Sequence, residues 1–308
     1  MELVKKNTNK RIDGIVQKLL ALTAILSALF ILIIIMIVAV RGLRPFFSEY
    51  GDVGKINFFK FVTGTRYYAP EYRIGYVIIN TLYIVFLSII VSAPISILTA
   101  LFIAKMAPKR IGNFLATIVE VLAAIPSIIY GVFGSGYVVV LVRNFAAKFG
   151  IVTAGGLSTL STVIVLSMMI MPTITMLSVT AIRSVPKDME HGSLALGASH
   201  TQTMFSISLN AARPGIFAGI ILGVGRALGE ATAVTMVAGN RGDGPTFSLF
   251  ETTRTLTSTI LTGIHETSDP LEYDIRFSIG LILIVVILIT NITLNVVKKR
   301  LGRHYGQN

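Results

Sequence analysis

Cysteine does not occur anywhere in the 308 residues. Disulfides, thiolate metal sites and cysteine nucleophiles are therefore excluded, and cysteine usage says nothing of the compartment. Charge is scarce too: 14% of residues are Asp, Glu, Lys or Arg, against 53% hydrophobic. With a mean hydropathy of +0.77, this balance lies outside the soluble range and predicts a polytopic membrane protein. The common catalytic signatures are missing as well: there is no HExxH, no GxSxG and no GxxxxGK(S/T). Ser–His and zinc chemistry within the membrane thus lack a base or ligands, and any ATP hydrolysis belongs to a separate chain. All four histidines, His191, His200, His265 and His304, fall outside the long apolar runs.

What the chain does have is apolar length. Six stretches reach the roughly 20 residues that a helix needs to cross a bilayer: 19–41, 76–104, 114–142, 157–182, 214–239 and 275–297. The fold class expected is all-α, with six transmembrane helices. The run from Leu19 to Val40 is longer than a signal-peptide core, and Arg41 follows it where a small-residue cleavage site would stand. It reads as an uncleaved span. Formal net charge is +12, and the basic residues flank the spans. That placement suits orientation and anionic lipid, not nucleic acid. With residues 1–18 and 298–308 inside, the inner segments hold fifteen basic and four acidic residues, whereas the outer ones are nearly balanced. Both termini are expected in the cytoplasm, with outer loops at 42–75 and 240–274.

Pro94, Pro126 and Pro172 each fall within an expected span. They suit helices that flex around a pathway, or equally the ordinary packing of transmembrane helices. The inner loop 183–213 contains "HGSLALGASHTQTMFSI" (191–207), helix-compatible but interrupted by Gly192 and Gly197. A helix–glycine–helix element lying along the membrane suits a docking surface, since glycine permits a turn and close backbone approach. An amphipathic linker fits the same spacing.

At this loop the chain resembles the inner-membrane permeases of ATP-binding-cassette importers. Their EAA-triplet and glycine motif aligns with His191, Gly192, Ser193, Leu194, Ala195, Leu196, Gly197 and Ala198, followed by Ile207-Ser208-Leu209-Asn210. Two positions depart from it: His191 replaces the usual glutamate, with Glu190 one position early, and Asn210 replaces the usual proline. "EVLAAIPSIIYGVFG" (120–134), "GRALGEATAVTMVAGN" (225–240) and "NTLYIVFLSIIVSAPISILTALFIAKMAP" (80–108) are similar to the phosphate-specific permeases. The ending "VAGN" and the later "TLTSTI" resemble the C-type (PstC) subunit more than its A-type sister. The resemblance implies a type I importer transmembrane domain over 76–297, with 183–213 as the coupling loop to an ATPase. It further implies a sister permease as heterodimer partner, two ATP-binding subunits that use ATP and Mg, and an external phosphate-binding protein. The place implied is the inner or plasma membrane, and the cargo inorganic phosphate. The A-type sister, or a permease for another oxyanion, is the alternative.

Within the fifth span stand Arg226 and Glu230. Gly215, Gly219 and Gly223 recur every fourth residue, as do Gly225 and Gly229, a small-residue spacing that lets helices approach in lipid. Arg226 is seven residues beyond Gly219 and returns to nearly the same face. Glu230 is four further on, where the two side chains meet if the helix continues. One reading is mutual neutralisation of two costly charges. The other is a substrate pathway, in which the planar guanidinium of Arg226 binds the phosphate oxyanion and Glu230 offsets its charge. Ser127 and Tyr130, beside Pro126, are candidate neutral donors to the anion or to neighbouring helices. Glu120 is expected near the cytoplasmic start of the third span, where a helix N-terminus and nearby water would favour it, with a pathway role as the alternative.

An ion-coupled transporter or channel is the rival function. Six spans are few for one, no inverted repeat is visible, and only Glu120, Arg226 and Glu230 lie where an ion relay would need them.

Overall fold

The computed structural model describes residues 2–264, 267 and 269–303, so His265 and His304 lie outside the described residues. Long apolar sequence dictates helix here, because in hydrocarbon each segment must satisfy its own backbone polar groups. The chain begins with α1 (Glu2–Phe47). A short α2 (Phe58–Thr63) and an antiparallel hairpin of β1 (Tyr67–Tyr68) and β2 (Glu71–Tyr72) follow. Next comes α3 (Gly75–Leu101), prolonged by a π-helical turn to Met106. Then come α4 (Lys109–Ala124), α5 (Ser127–Phe133), a π-turn, and α6 (Val139–Lys148). The central helix is α7 (Thr159–Arg183). After it, α8 (Lys187–Ala195) and α9 (His200–Thr203) lead through a third π-turn into α10 (Leu209–Gly229). The chain closes with α11 (Thr232–Val237), α12 (Leu256–Leu261) and α13 (Pro270–Arg303). Among the described residues, six helical runs are long and apolar enough to cross a membrane: Asp13–Phe47, Gly75–Met106, Ser127–Lys148, Thr159–Arg183, His200–Gly229 and Pro270–Arg300.

The core forms where α7 packs between α3 and α10. Small and hydroxylated side chains allow the approach to α3: the Ser167 hydroxyl donates to the Ser88 carbonyl (3.2 Å), and Ser96 donates to the Met171 carbonyl (3.2 Å). On the other side, glycines do the same for α10. A Cβ on Gly215 would stand 2.4 Å from the Cβ of Ala181, and one on Gly223 would stand 2.9 Å from Ile174. Gly219 faces Leu177 and Ile174 in the same seam. Gly225 and Gly229 do not belong to it, for an added Cβ there would meet nothing within 4 Å. The second pair of the glycine spacing therefore packs against no other helix of this chain.

Two expected spans are divided. The stretch 114–142 breaks at Ile125–Pro126, both with extended backbone, between α4 and α5. Proline lacks a backbone donor and drives the residue before it out of the helical region. Pro94 and Pro172 have the same chemistry but lie inside unbroken helices. In the fifth expected span, Pro214 is not the first helical residue but lies within α10, and the helix ends at Gly229, not at 239. Glu230 adopts an extended backbone before α11 starts.

One end of the bundle carries α8 and α9. The opposite, loop-rich end is tied together by contacts between residues far apart in the chain. Tyr67 N–H donates to Gly242 O (2.7 Å), the Tyr76 hydroxyl to Arg241 O (3.0 Å), and Thr246 N–H to Asn80 Oδ1 (3.2 Å). Phe61, Tyr72, Ile74, Leu256, Leu271 and Ile275 form a buried cluster beneath it. Meanwhile α1 leaves its most apolar stretch uncovered and docks chiefly on α13. There Ser278 donates to Gly42 O (2.6 Å), and Arg41 lies over the rings of Tyr273 and Phe277.

Candidate functional site

Arg226 lies in the last turn of α10, half-buried, and its Nη1 donates to the hydroxyl of Thr173 on α7 (3.0 Å). It lines an open cavity of about 600 Å³ between α10 and α13, shared with Thr173, Gly225, Asn291, Asn295 and Lys298. Gly225, whose added Cβ would meet nothing, forms part of this wall.

Glu230 does not meet Arg226. The expected contact required a helix continuing through residue 230, and the helix stops one residue earlier. With its backbone extended, Glu230 instead accepts a hydrogen bond from Ala233 N–H (3.0 Å), satisfying one of the open donors at the start of α11. Its own carbonyl accepts from the Thr257 hydroxyl (2.7 Å), which links the break to α12. Among the described residues Arg226 has no carboxylate partner.

The remaining residues of the expected pathway are dispersed. The buried Tyr130 directs its hydroxyl at Leu122 O (2.9 Å), so it bridges the Pro126 break and offers its proton to the backbone. It borders a separate apolar cavity of about 250 Å³ with Thr99, Met168, Pro172 and Thr175. Ser127 is the half-buried first residue of α5, and Pro126 forms the break before it. Glu120 is exposed, four residues from the C-terminal end of α4, so the helix N-terminus expected to favour it is not there. Its end of the helix carries the partial negative charge.

At the other end of the bundle, the α8–α9 loop forms a firm joint. Glu190 makes an ion pair with Lys105, which the π-turn after α3 presents, and accepts from the Ser208 hydroxyl (2.7 Å). Burial pushes the Glu190 carboxyl upward, but the hydrogen bonds from Lys105 and Ser208 outweigh it and hold it below the ordinary 4.5. Ser193 and Thr203 share a further bond (3.0 Å) between α8 and α9. Gly197, at φ +87°, ends the first helix in the left-handed conformation that glycine tolerates. Ser199 and Gln202 form a reciprocal cap that opens the second. This arrangement turns Glu190 inward and leaves His191, Gly192, Ala195 and Leu196 exposed, with Leu194 and Ala198 half-buried. Asn210 continues the helix and donates to Ser206 O (2.6 Å). In the sequence Ser208 stands only as the variable position of the aligned motif, and Lys105, a lysine at a span end, reads first as an orientation signal.

Residues 94–306 match the family described as "Binding-protein-dependent transport system inner membrane component". Curated relatives include the probable ABC transporter permease protein YqgH of Bacillus subtilis, 32% identical over 92% of this chain and 90% of that one. The phosphate transport system permease protein PstC of Pasteurella multocida is 32% identical over 73% and 76%. Among solved structures, a bacterial ABC transporter that imports the acidic polysaccharide alginate superposes with a TM-score of 0.60. It is 20% identical and covers 94% of this chain and 99% of its own. The MetNI methionine ABC transporter gives 0.53 at 15% identity, over 74% and 94%. The fold is that of type I importer permeases.

Proposed function

This chain belongs to the family of binding-protein-dependent transport system inner membrane components, and on that premise we propose that it carries inorganic phosphate as one half of an ATP-driven importer. Pairing with a sister permease completes the pathway. Two separate subunits hydrolyse MgATP against the α8–α9 loop, and an external binding protein delivers the anion to the loop-rich end. In this reading that end faces outward and both termini face the cytoplasm. The PstC relatives support the C-type assignment.

The observation that carries the proposal is the state of Arg226. A charged side chain at membrane depth costs about 2.5–3.5 kcal/mol on insertion scales. Neutralisation by Glu230 would explain its presence, but Glu230 is engaged with α11. A guanidinium held by one hydroxyl and lining a cavity has donors left for an oxyanion, and its fork matches phosphate geometry. The cavity also holds Lys298 of α13, so an anion there meets two cationic side chains while Glu230 is turned away to α11. Glu230 acts as a hinge cap: through Thr257 it ties the end of the Arg226 helix to α12, so movement at the outer loops reaches the arginine.

The test is uptake of radiolabelled phosphate by the complete transporter in proteoliposomes, with binding protein and ATP. Arg226→Gln is expected to abolish uptake in a fully assembled complex, and Arg226→Lys to restore a small part. Normal uptake by assembled Arg226→Gln overturns the pathway role. Stimulation of ATP hydrolysis by binding protein loaded with sulfate or molybdate, but not phosphate, overturns the cargo.

A further inference from the structure

The loop-rich end holds a second cluster of cationic and hydroxyl donors, 28 or more positions along the chain from Arg226, that no part of the mechanism above uses. Tyr67 of β1, Arg254 of the loop before α12, and Arg276 of α13 line one cavity of about 430 Å³, with Tyr68, Tyr72 and Glu272 among the other walls. Each of the three carries a buried donor with no partner: the Tyr67 hydroxyl, Arg254 Nε and Arg276 Nε. Tyr67 and Arg276 are over nine-tenths buried. Asn240 Oδ1 is a fourth buried atom without a partner in this lining, and it is an acceptor, so unpartnered donors outnumber unpartnered acceptors there three to one. Orphaned buried donors are rare in folded proteins.

The two arginines differ in how they are held. Arg276 is fixed by its terminal nitrogens: Nη1 donates to the carbonyls of Thr259 and Ile260 at the end of α12, and Nη2 to Glu272 (2.7 Å) and Thr267 (3.0 Å). Arg254 has no carboxylate partner among the described residues, and the neighbouring carboxylates Asp243 and Glu251 are taken by Arg241. Its guanidinium carbon lies 5.1 Å from the centre of the Tyr67 ring. A cation over a ring uses its face and leaves its in-plane N–H groups available. Two guanidinium charges against the one carboxylate of Glu272 leave the cavity with a net positive charge. Burial also pushes the Tyr67 hydroxyl up to about 12, so it stays protonated and able to donate at any working pH.

We propose that this cavity is a receiving site for a tetrahedral oxyanion at the mouth of the pathway, bound by Arg254, the Tyr67 hydroxyl and Arg276 Nε. The inference rests on the oxyanion cargo proposed above and adds an outer station to the Arg226 site. An anion leaving a binding protein meets the mouth first, and a weak cationic site there raises its local concentration.

Equilibrium dialysis of the detergent-solubilised, nucleotide-free complete transporter separates the two ideas, with radiolabelled inorganic phosphate and radiolabelled sulfate as probes. In an Arg226→Gln background, phosphate binding is expected to persist. Adding Arg254→Gln should reduce it at least about tenfold, and Arg254→Lys should reduce it less, because the charge but not the planar donor set survives. Tyr67→Phe, which removes one hydroxyl and keeps the ring under Arg254, is expected to weaken it about fivefold, the size of one lost hydrogen bond. Binding unchanged by Arg254→Gln and by Tyr67→Phe overturns the site, as does the absence of binding for both anions in the Arg226→Gln complex. Arg254-dependent binding of sulfate without phosphate upholds the site and overturns the phosphate cargo.

Discussion

The two ends of the helical run His200–Gly229 treat charge in opposite ways. Near its start, Glu190 is locked between Lys105 and Ser208, its charge matched within the chain. Near its end, Arg226 has a hydroxyl for company and open space beside it. A charge matched at home is a joint that transmits force. One left unmatched has donors free for a partner from outside the chain, and under the function proposed above the contrast separates the coupling end of the subunit from its transport path.

The contrast can be erased from the open side. Leu222 lies one turn before Arg226 and lines the same cavity; Leu222→Glu places a carboxylate in the favourable i,i+4 position. Pairing is expected to lower phosphate uptake about a hundredfold while assembly is kept, an effect comparable to removing a preorganised charge stabiliser. Uptake at the normal rate would mean that Arg226 need not be open. From the closed side, Lys105→Met leaves Glu190 without its cation, and a loss of about 1.5–3 kcal/mol in the stability of the α8–α9 joint follows. It should be read as faster amide exchange over 187–208 and as ATP hydrolysis that no longer responds to loaded binding protein. Glu190→Gln combined with it should add little, since both remove one interaction.

Acidification gives a smaller effect with a defined sign. The Glu190 carboxyl is held below its ordinary 4.5, so the joint is at full strength above that pH and weakens as pH falls through the lower, folded value. Amide exchange over 187–208, compared between neutral and acid pH, checks this; Glu190→Gln should abolish the pH dependence. Smallest is Tyr130→Phe, which removes the bond to Leu122 O at the Pro126 break, about 1 kcal/mol of local stability by thermal unfolding, with Arg226 untouched.

The six crossings and the helical fold could be read directly, because the length of an apolar run is itself the constraint the bilayer imposes. The breaks were harder. Pro94, Pro126 and Pro172 look alike in sequence, yet of the three only Pro126 interrupts a helix; Pro172 is itself buried, and the exposed Pro94 is flanked by buried Ser92, Ala93 and Ser96. At residue 230 a local sign existed: Gly229, a frequent helix-ending residue, precedes a glutamate suited to the start of the next helix. The Lys105–Glu190 joint left none, as a separation of 85 positions hides any spacing rule. Arg254 stood in plain view, but the role proposed for it depends on Tyr67, contributed by the distant β1–β2 hairpin.

The docking of α1 bears on how the subunit is made. Its anchor, Gly42, is held by Ser278, 236 positions later. At about 5–20 residues per second, roughly ten to fifty seconds of synthesis separate the two. During that interval the first helix waits in the bilayer, unattached to the last, while everything between them is inserted.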